Sequence, residues 1–146
     1  GMMRLHSGCD CFVQPSYGEA WSIPAFDAMA MGKTPIVTDC TGFRDYLSDT
    51  EGWLVQSHEE PVFGVNDTFE DLFVGTETWH AVDIKHLRRA MREAYEEESL
   101  REEKAASGVA RAYDFSYEAI GLTFKKALQH EQARLCEGQT LDGPEG

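Results

Sequence analysis

Three short apolar runs, each bounded by turn residues, constrain this chain more than any other feature. Cys11-Phe12-Val13-Gln14 stops at Pro15-Ser16, Pro35-Ile36-Val37-Thr38 runs into a turn from Asp39 to Gly42, and Trp53-Leu54-Val55 follows Gly52. Runs of this kind suit strands buried on both faces. A helical stretch separates the first two. Ser22 is placed to cap it, Pro24 fits its first turn, Ile23, Phe26 and Ala30 recur on one face, and Gly32 ends it. Phe43 to Leu47 predicts one or two helical turns. The order strand, helix, strand, short helix, strand predicts an α/β fold: a short parallel sheet of about three strands joined by right-handed crossovers. Nothing later reads strongly as strand. A sheet that thin keeps an open edge, which predicts pairing with another element or a second copy of the chain.

Gln56 to Val82 predicts an irregular excursion. It holds Pro61, Gly64 and Gly75, with Phe63, Phe69, Phe73 and Trp79 between them. That is too aromatic for a free linker, and a short helix is expected near Phe69 to Phe73. From Asp83 the pattern turns helical. Ile84, Leu87, Met91, Ala94 and Tyr95 make an apolar stripe, and the interleaved Arg88, Arg89, Arg92, Glu93, Glu96 and Glu97 suit a solvated face. Gly108 is expected to interrupt the next helix. Ser116 predicts the N-cap of the last, with Glu118 in its first turn and Ile120, Phe124, Ala127 and Leu128 as its stripe. Residues 2–136 thus read as one partial domain, with the excursion at 56–82, several C-terminal helices at 83–136, and a flexible acidic tail at 137–146.

The chain has 146 residues, with 13 Lys and Arg against 26 Asp and Glu, for a net charge of −13. One domain of this length buries roughly 70% of its unfolded surface. Such an acidic surface repels phosphate backbones, so no nucleic-acid partner is expected, and an anionic membrane surface is disfavoured as the main partner. The aromatic excursion lacks the basic residues that nucleic-acid stacking needs, which favours packing. Cys9, Cys11, Cys40 and Cys136 form no CxxC pair, and the histidines are scattered, so no metal site is predicted. The cysteines read as small buried apolar residues, Cys9 and Cys11 sharing one face of a strand. No apolar run is long enough to span a bilayer and no signal peptide opens the sequence, which points to the cytoplasm.

The chemistry concentrates between Tyr17 and Gly32. A loop follows the first strand and leads into a helix N-terminus, whose amides around Ser22 to Ala25 make a ready anion site. In parallel sheets ligands bind at the carboxyl ends of strands, where this loop lies. Glu19 stands in the loop and Asp27 sits one turn into the helix. Two carboxylates so placed repel phosphate and suit hydroxyl groups on either side of it. A phosphate flanked by two polyols is a nucleotide sugar. The bland alternative leaves Glu19 a surface acid and Asp27 a helix-favouring one.

These residues resemble the sugar-nucleotide-binding half of retaining glycosyltransferases with two Rossmann-like domains (the GT-B architecture, family 4, glycosyl transferases group 1). The signature is an acid, seven residues, a second acid, then Ala-Met-Ala, one residue and Gly. Glu19, Asp27 and Ala28-Met29-Ala30-Met31-Gly32 reproduce it. Pro35-Ile36-Val37, Gly52-Trp53-Leu54-Val55 and Phe115-Ser116-Tyr117-Glu118 follow in the family's order. The resemblance implies a partial Rossmann-like domain and, in the intact enzyme, transfer of a hexose from a UDP-, GDP- or ADP-hexose to an acceptor hydroxyl with retention and without metal. It implies Glu19 on the hexose hydroxyls as the catalytic-site acid, amides around Trp21, Ser22 and Ile23 on the diphosphate, and Asp27 on the ribose.

Two departures qualify the match. Asp27 is one methylene shorter than the usual Glu, and Ala20-Trp21-Ser22 replaces the common Gly-Phe-Gly. The family's acceptor domain and the first part of the donor domain are absent from the sequence, so the resemblance implies a fragment: cytoplasmic or membrane-peripheral in the intact enzyme, and inactive alone because donor and acceptor must be held together. A different reading makes the chain a non-catalytic acidic α/β module that binds a protein through its aromatic excursion and helices. Trp79 and Phe73 exposed in one patch would favour it, whereas Glu19 and Trp21 converging on an open cleft would favour the transferase. A sugar-nucleotide epimerase or a phosphorylase on the same fold is a third reading, the former disfavoured by the Glu19/Asp27 spacing.

Overall fold

The computed structural model describes residues 2–62 and 76–136. The chain forms two compact units, Gly1–Ala112 and Tyr113–Gly146. The expectations for Phe63, Phe69 and Phe73, for the 137–146 tail and for the Cys136 side chain fall outside the described residues.

The first unit opens with a short helix, α1 (Met2–Ser7), and strand β1 (Cys11–Gln14). Helix α2 (Ile23–Ala30), strand β2 (Thr34–Thr38), a 3₁₀ turn (Thr41–Asp45) and strand β3 (Trp53–Val55) follow. The strands are ordered β1-β2-β3, and both pairings are parallel, with Val13 opposite Ile36 and Ile36 opposite Trp53. This is the α/β sheet that the three apolar runs predict. Strand β2 is buried at every residue. Its Pro35 is tolerated because pairing with β3 begins only at Ile36, beyond the ring that lacks an N–H.

Helix α2 ends as Gly32 predicts. The glycine takes φ +69°, its N–H donates to the Met29 carbonyl at 3.0 Å, and Lys33 N–H donates to the Ala28 carbonyl at 2.9 Å. The buried face is a correction: Ala25, Ala28 and Met29 point inward, while Ile23 is 68% exposed. Small residues win because another helix approaches closely. That helix is α4 (Glu98–Ala112), which follows α3 (Ile84–Glu96). Gly108 does not interrupt α4. It is buried in mid-helix, where a Cβ would lie 2.7 Å from Cγ of Met29. The glycine is a contact point between helices rather than a break.

Helix α3 is capped by Asp83, whose carboxylate accepts from the amides of Lys85 (2.7 Å) and His86 (3.0 Å). Its buried side chains are Ala90 and Ala94, packed with Ile36, Trp53 and Val55. Ile84, Met91 and Tyr95 of the expected stripe are exposed, Tyr95 at 79%. Trp53 is fixed from two sides: its indole N–H donates to Glu93 at 3.0 Å, and Lys104 Nζ lies 5.1 Å from the ring centroid.

Two strands form where none was expected. Strand β4 (Ser57–Pro61) pairs antiparallel with β5 (Thr78–Val82), Glu60 opposite Trp79. Ser-His-Glu-Glu has little strand propensity of its own; its ladder partner supplies the order. The cysteines also depart from a uniformly buried set. Cys40 is buried, Cys11 is half-buried, and Cys9 is exposed ahead of β1, so the two do not share a strand face.

The second unit holds a 3₁₀ turn (Tyr113–Phe115) and α5 (Tyr117–Cys136). Ser116 caps α5 as predicted, its Oγ accepting from the Ala119 amide at 3.2 Å. Ile120, Phe124 and Leu128 stand exposed along it. Among the described residues no helix is long and apolar enough to cross a membrane.

Candidate functional site

The site lies where β1 ends. Gln14 is its last residue, and its side chain reaches over the loop that follows. Gln14 Nε2 donates to Glu19 Oε1 at 2.6 Å and to Ser16 Oγ at 3.1 Å. Ser16 Oγ donates to the same carboxylate oxygen at 2.9 Å. On its other side, Gln14 Oε1 accepts from Ser22 Oγ at 2.7 Å. The amide orientation follows from the network, since a carboxylate can only accept and the serine hydroxyl is free to donate.

Ser22 stands at the N-cap position of α2 without acting as an ordinary cap. It adopts φ 59°, ψ 77° and makes no side-chain bond to the helix amides. This overturns the expectation of a conventional serine cap. A buried hydroxyl needs a partner, and Gln14 supplies a closer one than the helix. The expected Pro does stand in the helix's first turn.

The far wall is the segment after β2. Thr41 Oγ1 accepts from the Glu19 amide at 2.9 Å, and the Gly42 amide donates to the Glu19 carbonyl, also at 2.9 Å. Thr41 has φ 40°, so two non-glycine residues in the left-handed region flank the Glu19 loop. Such conformations cost of order 1–3 kcal/mol each and persist only where surroundings over-determine them. Gly42 is required by proximity: a Cβ there would sit 2.0 Å from the Ala20 carbonyl oxygen.

Trp21 packs against Phe26 and Tyr46, with ring centroids at 5.6 and 4.8 Å. Tyr46 is fully buried beneath the loop; burial, then the Glu19 charge, pushes its hydroxyl well above the usual phenol range. The Cys40 thiol, next to the Thr41 hydroxyl, is also pushed up, chiefly by burial. Arg44 Nε donates to Asp39 at 2.6 Å at the outer rim. The β4–β5 ladder is fastened to the same loop. Tyr17 stacks on Trp79 at 4.3 Å, the Tyr17 carbonyl accepts from the His80 amide at 2.9 Å, and Ser57 Oγ donates to the Asp39 carbonyl at 3.3 Å.

The five residues singled out from sequence therefore occupy different settings. Glu19 and Ser22 are brought together through Gln14. Trp21 belongs to the aromatic cluster beneath. Ile23 is exposed at the first residue of α2. Asp27 is exposed on its second turn and, among the described residues, makes no side-chain hydrogen bond or ion pair. Sequence reasoning missed Gln14, Ser16 and Thr41. The available signal was a polar residue closing an apolar strand at the end where parallel sheets bind ligands.

Residues 2–71 match the glycosyl transferases group 1 family. That stretch holds β1, α2, β2 and β3, and with them the whole network around Glu19. One curated relative, the N,N'-diacetylbacillosaminyl-diphospho-undecaprenol alpha-1,3-N-acetylgalactosaminyltransferase of Campylobacter jejuni, is 38% identical over 48 residues. The alignment covers 33% of this chain and 13% of that relative. The two matches support glycosyl transfer in general.

Proposed function

We infer that this chain supplies the part of a retaining, GT-B glycosyltransferase of family 4 that holds a nucleotide-sugar donor. The observation that carries the reading is the Glu19 carboxylate, anchored through one oxygen beside the N-terminus of α2, within the stretch matching the group 1 family. An anchored carboxylate accepts hydroxyl hydrogen bonds without having to be ordered first, so Glu19 is assigned to the hexose hydroxyls. The diphosphate is assigned to the amide end of α2 at Ser22 and Ile23, where helix N–H groups lack intrahelical partners and the dipole favours negative charge. Asp27, exposed on the next turn and without a side-chain hydrogen bond or ion pair among the described residues, is assigned to the ribose hydroxyls. Trp21 enters through its backbone, its ring being engaged below.

In the reaction the bond from the anomeric carbon to the diphosphate breaks. The acceptor hydroxyl forms the new bond on the same face and passes its proton to the departing diphosphate oxygen, and the amide end of α2 stabilises charge on that diphosphate. No metal is required in this scheme. The acceptor domain is assigned to polypeptide beyond these residues, and the intact enzyme to the cytoplasm or its membrane surface. The relative's acceptor carries an undecaprenol diphosphate, which makes a lipid-linked acceptor the first class to try.

The test is an amide-resolved NMR titration of the chain with UDP, GDP, ADP and their glucose conjugates. Shifts centred on residues 19–28 with one nucleotide preferred, reduced at least tenfold in affinity by Glu19→Ala, are expected. Saturable binding that Glu19→Ala leaves untouched would refute the assignment. The alternative of a protein-binding module draws on the exposed Ile84, Met91 and Tyr95 of α3. The patch first proposed for it involved Trp79, which is instead half-buried against Tyr17.

A further inference from the structure

Among the described residues, Gln14 is the side chain hydrogen-bonded both to the Glu19 carboxylate and to Ser22 at the helix N-terminus. Its two amide atoms are used in opposite senses: Nε2 donates to Glu19, while Oε1 accepts from Ser22. With Ser16, it occupies Oε1 of Glu19 from two donors, and among the described residues none donates to Oε2. We propose that Gln14 is a positioning residue, which fixes the Glu19 carboxylate so that Oε2 receives a ligand hydroxyl and ties that carboxylate to the Ser22 turn that meets the diphosphate. The proposal rests on the donor-site reading above and adds how its two halves are held in register. It follows from chemistry at one residue. Glutamate at position 14 would place a second carboxylate 2.6 Å from the first, where two anions repel. Leucine would leave the Ser22 hydroxyl, buried to within 6% of full exclusion, without its acceptor. Glutamine alone among residues of this length serves both neighbours, since it carries a donor and an acceptor on one planar group.

The test uses the full chain and two variants, Gln14→Glu and the exchange Gln14→Glu/Glu19→Gln. The exchange rebuilds the hydrogen-bond pattern, because Glu at 14 accepts from Ser22 and from the new amide at 19. It does not restore a carboxylate at position 19. Each protein is titrated with UDP, GDP, ADP and their glucose conjugates, and the ratio of affinities for conjugate over nucleotide is the readout. A general loss of packing lowers both affinities together and leaves the ratio unmoved. Gln14→Glu should lower the ratio about tenfold or more, with affinity for the nucleotide alone changed about twofold or less. The exchange should return the Ser22 and Thr41 backbone amides to their wild-type resonance positions without recovering the ratio. An unchanged ratio in Gln14→Glu, or a recovered one in the exchange, overturns the proposal. Should wild type bind none of the six probes, the donor reading fails by itself. Positioning is then decided in the unliganded proteins: displaced Ser22 and Thr41 amides in Gln14→Glu that return in the exchange support it, and amides unmoved in Gln14→Glu overturn it.

Discussion

Replacing Gly42 with alanine should damage the site and the fold together, and the structure sets the size of the effect. The added Cβ would lie 2.0 Å from the Ala20 carbonyl oxygen, 2.4 Å from its carbon and 2.9 Å from the Glu19 carbonyl oxygen. All three are backbone atoms, so no rotamer change relieves the clash. Reaching ordinary contact near 3.4 Å requires the two segments to part by about 1.4 Å. That separation breaks the Gly42 N–H bond to the Glu19 carbonyl and the Glu19 N–H bond to Thr41 Oγ1, each 2.9 Å long. Two hydrogen bonds at about 1 kcal/mol each, with an overpacking term of about 1–3 kcal/mol, give a loss of about 3–5 kcal/mol. Against a total stability of about 5–15 kcal/mol this is large but survivable. The assay is urea unfolding followed by tryptophan fluorescence, with the midpoint and slope compared to wild type. In the folded fraction Glu19 is displaced by an ångström or more, so under the proposed donor-site reading nucleotide-sugar affinity should fall with it. A Gly42→Ala protein within about 0.5 kcal/mol of wild type would refute the reasoning, because the close approach would then not exist in solution.

Two further outcomes follow from named contacts. Gly121→Ala in α5, where a Cβ meets nothing within 4 Å, should stabilise its helix by about 0.5–1 kcal/mol, whereas Gly108→Ala in α4 should destabilise, its Cβ 2.7 Å from the buried Met29 outweighing the same propensity gain. Melting curves of the two variants moving in one direction would contradict the helix contact at Gly108. The amides of His86 and Lys85 hold the Asp83 carboxyl below its usual range, so the native state binds fewer protons than the unfolded one. That contribution is complete above the ordinary carboxylate range and is lost as pH falls through the lowered value. The stability difference between wild type and Asp83→Asn should therefore shrink as pH falls through and below the ordinary carboxylate range, and a constant difference would show that the charge adds nothing.

The sheet was legible because its strands announce themselves locally. Cys11–Gln14 and Trp53–Val55 are found where the apolar runs stand, and β2 begins one residue early at Thr34. Helix phase was less legible, and for one reason in two places. Periodicity reads stripes of Ile23, Phe26 and Ala30 in α2 and of Ile84, Leu87, Met91, Ala94 and Tyr95 in α3; Ala94 and Leu87 do face the core, whereas the large Ile23, Ile84, Met91 and Tyr95 are exposed. The faces that are buried carry alanine, Ala25 and Ala28 in one and Ala90 and Ala94 in the other, because close helix packing selects small side chains. Gly108 falls under the same rule: a residue that costs a free helix stability is what the close approach of α4 to Met29 requires. Strand β4 was invisible for a different reason. Nothing in Ser57–Glu60 favours extension, and its order comes from a ladder with residues about twenty positions away.

The site divides along the same line. Glu19 and Ser22 stand close together because a short loop joins β1 to α2, whereas Asp27, picked out by the same spacing, stands exposed on α2 outside the Glu19 network. The groups that fix Glu19 are Gln14, Ser16 and Thr41, at separations of 5, 3 and 22 residues, which share no period. They meet because β1 and β2 are adjacent parallel strands whose carboxyl ends lie side by side, so the loop after each faces the loop after the other. The two left-handed residues mark that junction: Ser22 closes one loop and Thr41 opens the other, and each is held by a bond to the Glu19 network. Strain at both ends of one carboxylate's support is stable only if the loops are locked together, which is the role of Gly42 in letting the backbones touch. A sequence motif names the acid at this site, and the parallel sheet decides which residues can hold it.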